Sequence, residues 1–251
     1  MSVSIFTQSI EGTTLILTNG GADSDKEKLK WRDNRQKAIN AVSGVSAIEL
    51  EIEFSTSIEF YSVLFGNMYS TQSISTSLFY WNGTAYTQFD NESIPAQSNT
   101  NYLFFGASAE SNIKFKIQFQ RGSATPLEIG CIFISQNGQY YDFPVNYQQD
   151  NNRGYMHRYE KEFDVHGYGY SQIWNNTTKQ IYDFGFHLTE SQFTALKTQF
   201  EYFNFGAKRF FIKDTNVDAN WHLAEWEGDA ELTGDNISSG YYNIPFMARE
   251  V

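Results

Sequence analysis

The chain has 251 residues, a formal net charge of −11 and a sequence pI ≈ 4.8. An acidic surface repels phosphate backbones and no Lys/Arg-rich run offers a basic patch, so nucleic acid is excluded as the expected partner. Nowhere does the chain carry the roughly eighteen consecutive apolar residues of a membrane-spanning helix. Met1 to Ile10 lacks a basic leader and a long apolar core, so no membrane insertion and no signal peptide are expected.

Aromatic residues make up 17% of the chain and charged residues only 19%. That balance favours half-buried pleated strands over solvated helices. The length suits two β domains, each with its own core. Cys131 is the one cysteine, which rules out an intramolecular disulfide, and its apolar neighbours Ile129 to Ile134 make it a small buried hydrophobe. Asn-x-Ser/Thr triplets begin at Asn82, Asn91, Asn175, Asn176 and Asn236, a frequency expected by chance in a chain this rich in Asn, Ser and Thr.

Thr14 to Thr18 reads as a short strand ended by the Asn19-Gly20-Gly21 turn, and Asp23 to Lys37 as a polar loop around one aromatic anchor, Trp31. From Ile48 to Phe54, Ile48, Leu50, Ile52 and Phe54 alternate with Glu49, Glu51 and Glu53, which predicts a strand with one core face and one acidic, solvated face. Separate strands follow at Ile58 to Phe65, Ile74 to Trp81 and Ala85 to Phe89, the last two joined as a hairpin through Asn82-Gly83. Tyr102 to Phe105, Ile113 to Phe119 and Leu127 to Ile134 add three more, with Lys114, Lys116 and Gln118 on the polar side of the second. Such spacing fits a sandwich or jelly roll.

A polar stretch from Gln136 to Arg153 separates two series of strands, so the expected domains are residues 1–147 and 148–251. In the second, Tyr159 to Val165, Ile181 to Leu188, Lys208 to Lys213, Trp221 to Glu227 and Tyr241 to Arg249 read as strands. One helix is expected at about 190–203. Thr189 can cap it, Gln192 stands three residues later, and Phe193, Leu196, Phe200 and Phe203 recur at helical spacing. The expected fold class is mainly β: an N-terminal β-sandwich or jelly roll, then an antiparallel β domain carrying one amphipathic helix.

Few residues suggest chemistry. Glu49, Glu51 and Glu53 stand about 6 to 7 Å apart along one strand face. A glycosidase pair instead faces across a cleft and needs one acid held protonated. His157, His166, His187 and His222 lack the spacings of zinc sites. No nucleophile elbow, phosphate loop or dinucleotide fingerprint occurs, and no catalytic or cofactor-binding residue is assigned. Asp214, Asn216, Asp218 and Glu225 follow the spacing of a calcium loop, but Ala219 stands where that loop needs glycine, so a polar turn is the expected reading and no metal or cofactor is assigned. Tyr140, Tyr141, Tyr155, Tyr168, Tyr170, Trp81, Trp174 and Trp221 are aromatic residues near expected loops, suited to sugar stacking, to protein contact or to core.

The stretch from Trp31-Arg32 through Ile48–Phe54, Phe65-Gly66-Asn67, Phe79–Gly83 and Ile129–Phe133 resembles galactose-binding-like jelly rolls of phage virion proteins over most of residues 10 to 135. Phe186–Thr189, the helix, Gly206, Phe210-Phe211 and the closing Tyr241–Val251 segment resemble the C-terminal β domains of phage minor tail proteins. The resemblance implies a non-enzymatic structural subunit of a virion tail or adhesion apparatus, made in the host cytoplasm. Its partners would be itself, as a homo-oligomer, other virion proteins, and a host glycan. The alternative is a carbohydrate-binding module that recognises a host surface or polysaccharide. Glycoside hydrolysis is the third reading.

Overall fold

The computed structural model describes residues 3–21, 24–32, 36–41, 46–122, 125–136, 140–143, 153–156, 159–163, 169–173, 179–202, 208–215, 219–227, 235–238 and 240–250. Two compact units divide the chain: Met1–Phe143 with Phe210–His222, and Pro144–Arg209 with Leu223–Val251.

In chain order the first unit holds β1 (Val3–Phe6), β2 (Thr14–Thr18), a 3₁₀ turn (Lys26–Lys30), β3 (Ile39–Ala41), β4 (Ala47–Ser70) and β5 (Ile74–Trp81). There follow β6 (Tyr86–Ile94), β7 (Gln97–Gln120), β8 (Leu127–Ile129), β9 (Cys131–Gln136) and β10 (Tyr141–Asp142). The chain then makes β11 (Arg153–Met156), β12 (Tyr159–Phe163), β13 (Gly169–Ile173), β14 (Lys179–Thr189) and α1 (Glu190–Tyr202). Last come β15 (Phe210–Asp214), β16 (His222–Trp226), β17 (Asp235–Ser238) and β18 (Tyr241–Glu250).

The frame of the first unit is the antiparallel pair β4 and β7, 24 residues each. Alternation alone splits β4 at Ser55–Ser57 and β7 between its two apolar runs. Instead each strand runs through, and the exposed Ser55–Ser57 segment falls at a register shift between Glu53 and Ile58. Such irregularities bend a strand pair without ending it. The halves of the bent pair thereby serve different layers. Ala47–Phe54 pairs with β2 and with the far end of β7, which β5 and β6 extend. The remainder of β4 pairs with β8, β9 and the near end of β7.

Between the layers lies the core. Leu50, Ile52, Phe115, Ile117 and Phe119 face Phe60, Val63, Phe65, Ile132 and Ile134, all buried, with Phe60 and Phe115 ring centroids 4.9 Å apart and Phe65 and Phe119 5.4 Å apart. Burying a Phe or Leu side chain contributes about 1.5 to 3 kcal/mol, so this cluster dominates the stability of the unit. The expected jelly-roll-like β-sandwich is found.

The sequence places a strand at Lys208 to Lys213 in the second domain, but β15 belongs to the first unit, where it pairs antiparallel with β1 from Val3↔Asp214 to Phe6↔Phe211. All four β1 residues and Phe210, Phe211 and Ile212 are buried. Strands with no solvent face need neighbours on both sides, and each supplies one to the other. Phe211 packs edge-on against Phe133 of β9 at 4.9 Å, and Gly66 lies beneath Cys131 and Phe211. Trp31, expected as the anchor of its loop, is 50% exposed. Leu29 and Arg32 fill that role, Arg32 donating to the Thr7 carbonyl at 2.7 Å and lying 5.2 Å over the Phe133 ring.

In the second unit β14 and β18 pair from Ile181↔Arg249 to Thr189↔Tyr241, flanked by β11, β16 and β17. Strands β12 and β13 form a separate hairpin. The helix starts as its sequence predicts: the Thr189 backbone N–H donates to Gln192 Oε1 at 2.9 Å, and the Gln192 N–H donates to Thr189 Oγ1 at 3.4 Å, a reciprocal capping box. Leu196 and Phe200 are buried, Phe200 lies 4.8 Å from Trp226, and Phe193 stacks on Tyr242 at 4.9 Å. The helix therefore lies on the sheet. No helix among the described residues is long and apolar enough to cross a membrane.

Candidate functional site: a charged and aromatic sheet face

In a strand, residues that alternate with core positions must face away from the core. Across the layer β2, β4, β7, β5 and β6 this brings together residues that are far apart in sequence. One row runs Ile16, Glu51, Lys116, Phe79, Gln88; the adjacent row begins Thr18, Glu49, Gln118, Ser77. On the other side Thr14, Glu53 and Lys114 are in register, and Trp81 pairs with Tyr86. Five strands at the usual spacing make a face about 19 Å wide.

The β5–β6 hairpin carries the aromatic residues. Asn82 forms its turn as its sequence predicts: Oδ1 accepts the Thr84 and Ala85 N–H groups, each at 2.9 Å, and Gly83 takes the positive φ of 98° that a side chain would disfavour. Trp81 and Tyr86 then meet edge to face, with centroids 5.2 Å apart and an interplanar angle of 69°. Lys116 places its ammonium 4.8 Å from the Phe79 ring centroid and 4.9 Å from that of Tyr86, within cation–π range of both.

The carboxylates are expected to form a solvated acidic row, and the structure corrects this: Glu49, Glu51 and Glu53 are half-buried and engaged. Glu49 accepts from Gln118 Nε2 at 2.6 Å and from Lys116 Nζ at 3.3 Å. Glu53 pairs with Lys114 at 3.2 Å. Glu51 accepts from the Tyr86 hydroxyl at 2.8 Å. Burial, and then the hydrogen bond to Glu51, raise the Tyr86 phenol well above its ordinary value, so it stays protonated and remains a donor. Thr14, Ile16, Glu51, Glu53, Tyr86 and Lys114 line a recess of about 30 Å³, room for one water-sized group.

Other residues singled out by sequence lie elsewhere. Trp221 is 4% exposed, packed against Phe6 and Tyr140, and so belongs to the core. Tyr141 packs on Phe143 at 5.0 Å. Trp174, Tyr168, His157 and His166 lie outside the described residues, as do Asn216 and Asp218, while the side chains of Tyr155 and Tyr170 are not described. His187 lies in β14 and His222 opens β16. Of the calcium-spaced residues, Asp214 is buried at the end of β15. Glu225 is within β16, with its carboxylate held by Arg209 at 2.8 Å and Arg249 at 3.7 Å. Among the described residues, no three His, Cys, Asp or Glu side chains are grouped to hold a metal ion.

Phe79, Tyr86, Lys114, Lys116 and Gln118 are members of the face that were not expected as site residues. A signal for them was present: Lys114-x-Lys116-x-Gln118 matches Glu49-x-Glu51-x-Glu53 in period, and its two lysines oppose the glutamates in charge, as cross-strand pairs do.

No family model matches the sequence, nor does any curated protein. Similar solved structures include carbohydrate-binding modules and fucosidases. The family 32 module from Clostridium perfringens NanJ, in complex with galactose, is 10% identical with a TM-score of 0.41, the match covering 53% of this chain and 98% of that one. Chitosan-binding module 1 of a chitosanase/glucanase from Paenibacillus sp. IK-5 is 10% identical with a TM-score of 0.40, covering 51% and 98%. A Ruminococcus gnavus GH29 fucosidase in complex with fucose is 13% identical with a TM-score of 0.43, covering 54% of this chain and 28% of that one.

Proposed function

We propose that the chain binds carbohydrate without turning it over, and that the outward face of β2, β4, β7, β5 and β6 is the binding surface. The observation that carries the proposal is the joint display, on one rigid layer, of the half-exposed rings of Phe79, Trp81 and Tyr86 beside carboxylate, ammonium and amide groups. A sugar ring has an apolar C–H face and a rim of hydroxyls, and it needs both an aromatic platform and fixed polar partners. The polar groups are oriented in advance by one another, so little ordering cost falls on binding. The three glutamates stand on one strand of an open face, not on two walls of a cleft, which argues for retention over hydrolysis.

An assembly subunit acting by protein contacts is the reading the sequence resemblance suggests. The large apolar side chains Ile16, Trp31, Ile113, Tyr202, Tyr241 and Met247 are exposed, and such residues suit a contact surface. Ile16 is the one that borders the platform, whose remainder is charged and polar, whereas the centre of a permanent protein interface is depleted in charge. The platform therefore favours the glycan.

A panel of immobilised glycans and insoluble polysaccharides tests the proposal. Wild type should retain at least one class, and Trp81→Ala should weaken retention about five- to thirty-fold, the loss of about 1 to 2 kcal/mol expected for a stacking ring, with unchanged thermal unfolding. Retention unaltered by Trp81→Ala would move the site elsewhere. Retention of no glycan, together with a concentration-independent oligomer in light scattering, would favour the assembly subunit.

A further inference from the structure

Glu51 differs from its two neighbours in what its carboxylate bonds. Lys116, although in register with Glu51, reaches the Glu49 carboxylate, and Lys114 pairs with Glu53, each at salt-bridge distance. Among the described residues Glu51 receives one hydrogen bond, from the neutral Tyr86 hydroxyl, and no cation pairs with it. A carboxylate can accept about four hydrogen bonds, so Glu51 retains both its charge and most of its acceptor capacity. It lines the 30 Å³ recess, whose size suits a single hydroxyl. With three carboxylates against two ammonium groups, the unbalanced negative charge of the platform rests on Glu51.

Building on the glycan reading, on which it depends, we infer that Glu51 sets the charge class of the ligand. Hydroxyl groups of a neutral glycan donate into its free lone pairs, and polysaccharides that carry carboxylate or sulfate groups are excluded by like-charge repulsion at the centre of the face. Tyr86 is the positioning residue: its hydroxyl satisfies one oxygen of Glu51 and leaves the other for ligand.

The test is isothermal titration of a neutral polysaccharide that wild type retains, against the same backbone with its primary hydroxyls oxidised to carboxylates. Wild type should prefer the neutral form at least about tenfold, equivalent to about 1.4 kcal/mol. In Glu51→Gln the preference should shrink to within about threefold, chiefly through a gain for the oxidised form. Glu201→Gln removes one exposed acid from the helix and serves as the control for net charge; it should keep the tenfold preference. The inference is overturned if wild type binds both forms equally, or if Glu51→Gln discriminates as wild type does; in either case glycan binding itself stands. If wild type retains no polysaccharide in the preceding panel, the glycan reading fails and takes the inference with it.

Discussion

Gly66→Ala is the substitution whose cost follows most directly from geometry. A β-carbon at Gly66 would stand 2.4 Å from Cys131 Sγ and 3.0 Å from Phe211 Cζ, where ordinary contact is 3.4–4 Å. The sulfur must therefore give by about 1 Å within a core that has little free volume. Overpacking of this kind costs about 1 to 3 kcal/mol, and replacing a strand glycine by alanine returns about 0.5 to 1. A contact below 3.0 Å takes the upper part of the overpacking range, so the expected net loss in urea unfolding is about 1 to 2 kcal/mol. Cys131→Ala removes the obstructing atom, so in that background Gly66→Ala should cost under about 0.5 kcal/mol, giving a coupling energy of about 0.5 kcal/mol or more in the double-mutant cycle. A single variant within 0.5 kcal/mol of wild type, or additive losses in the double variant, would refute the packing account.

Thr189→Ala should destabilise the second unit by about 1 kcal/mol, since it removes the hydroxyl that accepts the Gln192 N–H, and Thr189→Ser should recover most of that in chemical denaturation. Stability should fall at alkaline pH. Burial raises Tyr86, Tyr102, Tyr140 and Tyr141 above the unfolded value of 10.0, Tyr141 to about 12. The folded chain thus holds these protons more tightly than the unfolded one. Their contribution is complete below pH 10 and is lost as pH rises through the folded values. Lys37, lowered by burial from 10.5, acts in the opposite sense, gaining stability as pH rises towards that value, but it is one group against four tyrosines. Urea midpoints that climbed between about pH 10 and about pH 12 would contradict the assignment.

Much of the first unit is legible because its strands bury one face only. The alternation in Ile48–Phe54 and Ile113–Phe119 separates core from outward residues at every position but Ile113, which is exposed at the end of its run, and Asn82-Gly83 marks the hairpin that carries the rings. Less legible is which outward residues become neighbours. Glu49 and Lys116 meet because two strand segments more than sixty residues apart pair in one register, and that register follows from how the cores fit, not from either segment alone. The bends in β4 and β7 escape notice for a related reason: a polar bulge such as Ser55–Ser57 has the composition of a loop. β15 is harder still, since a strand apolar on both faces has no period to read and pairs with the chain's first strand. In α1 every cue is local, and both its capping box and its buried positions follow from the sequence.

The most direct test of the central claim is a residue-resolved map of glycan contact, by backbone amide shifts of the full chain during titration with a retained oligosaccharide. Perturbation should be confined to the outward layer, strongest at Phe79, Trp81, Tyr86 and Lys116 and carried to Glu51 and Ile16 of the adjoining strands, with β8 and β9 unmoved. Saturable shifts centred on any other surface, with those residues unmoved, would contradict it.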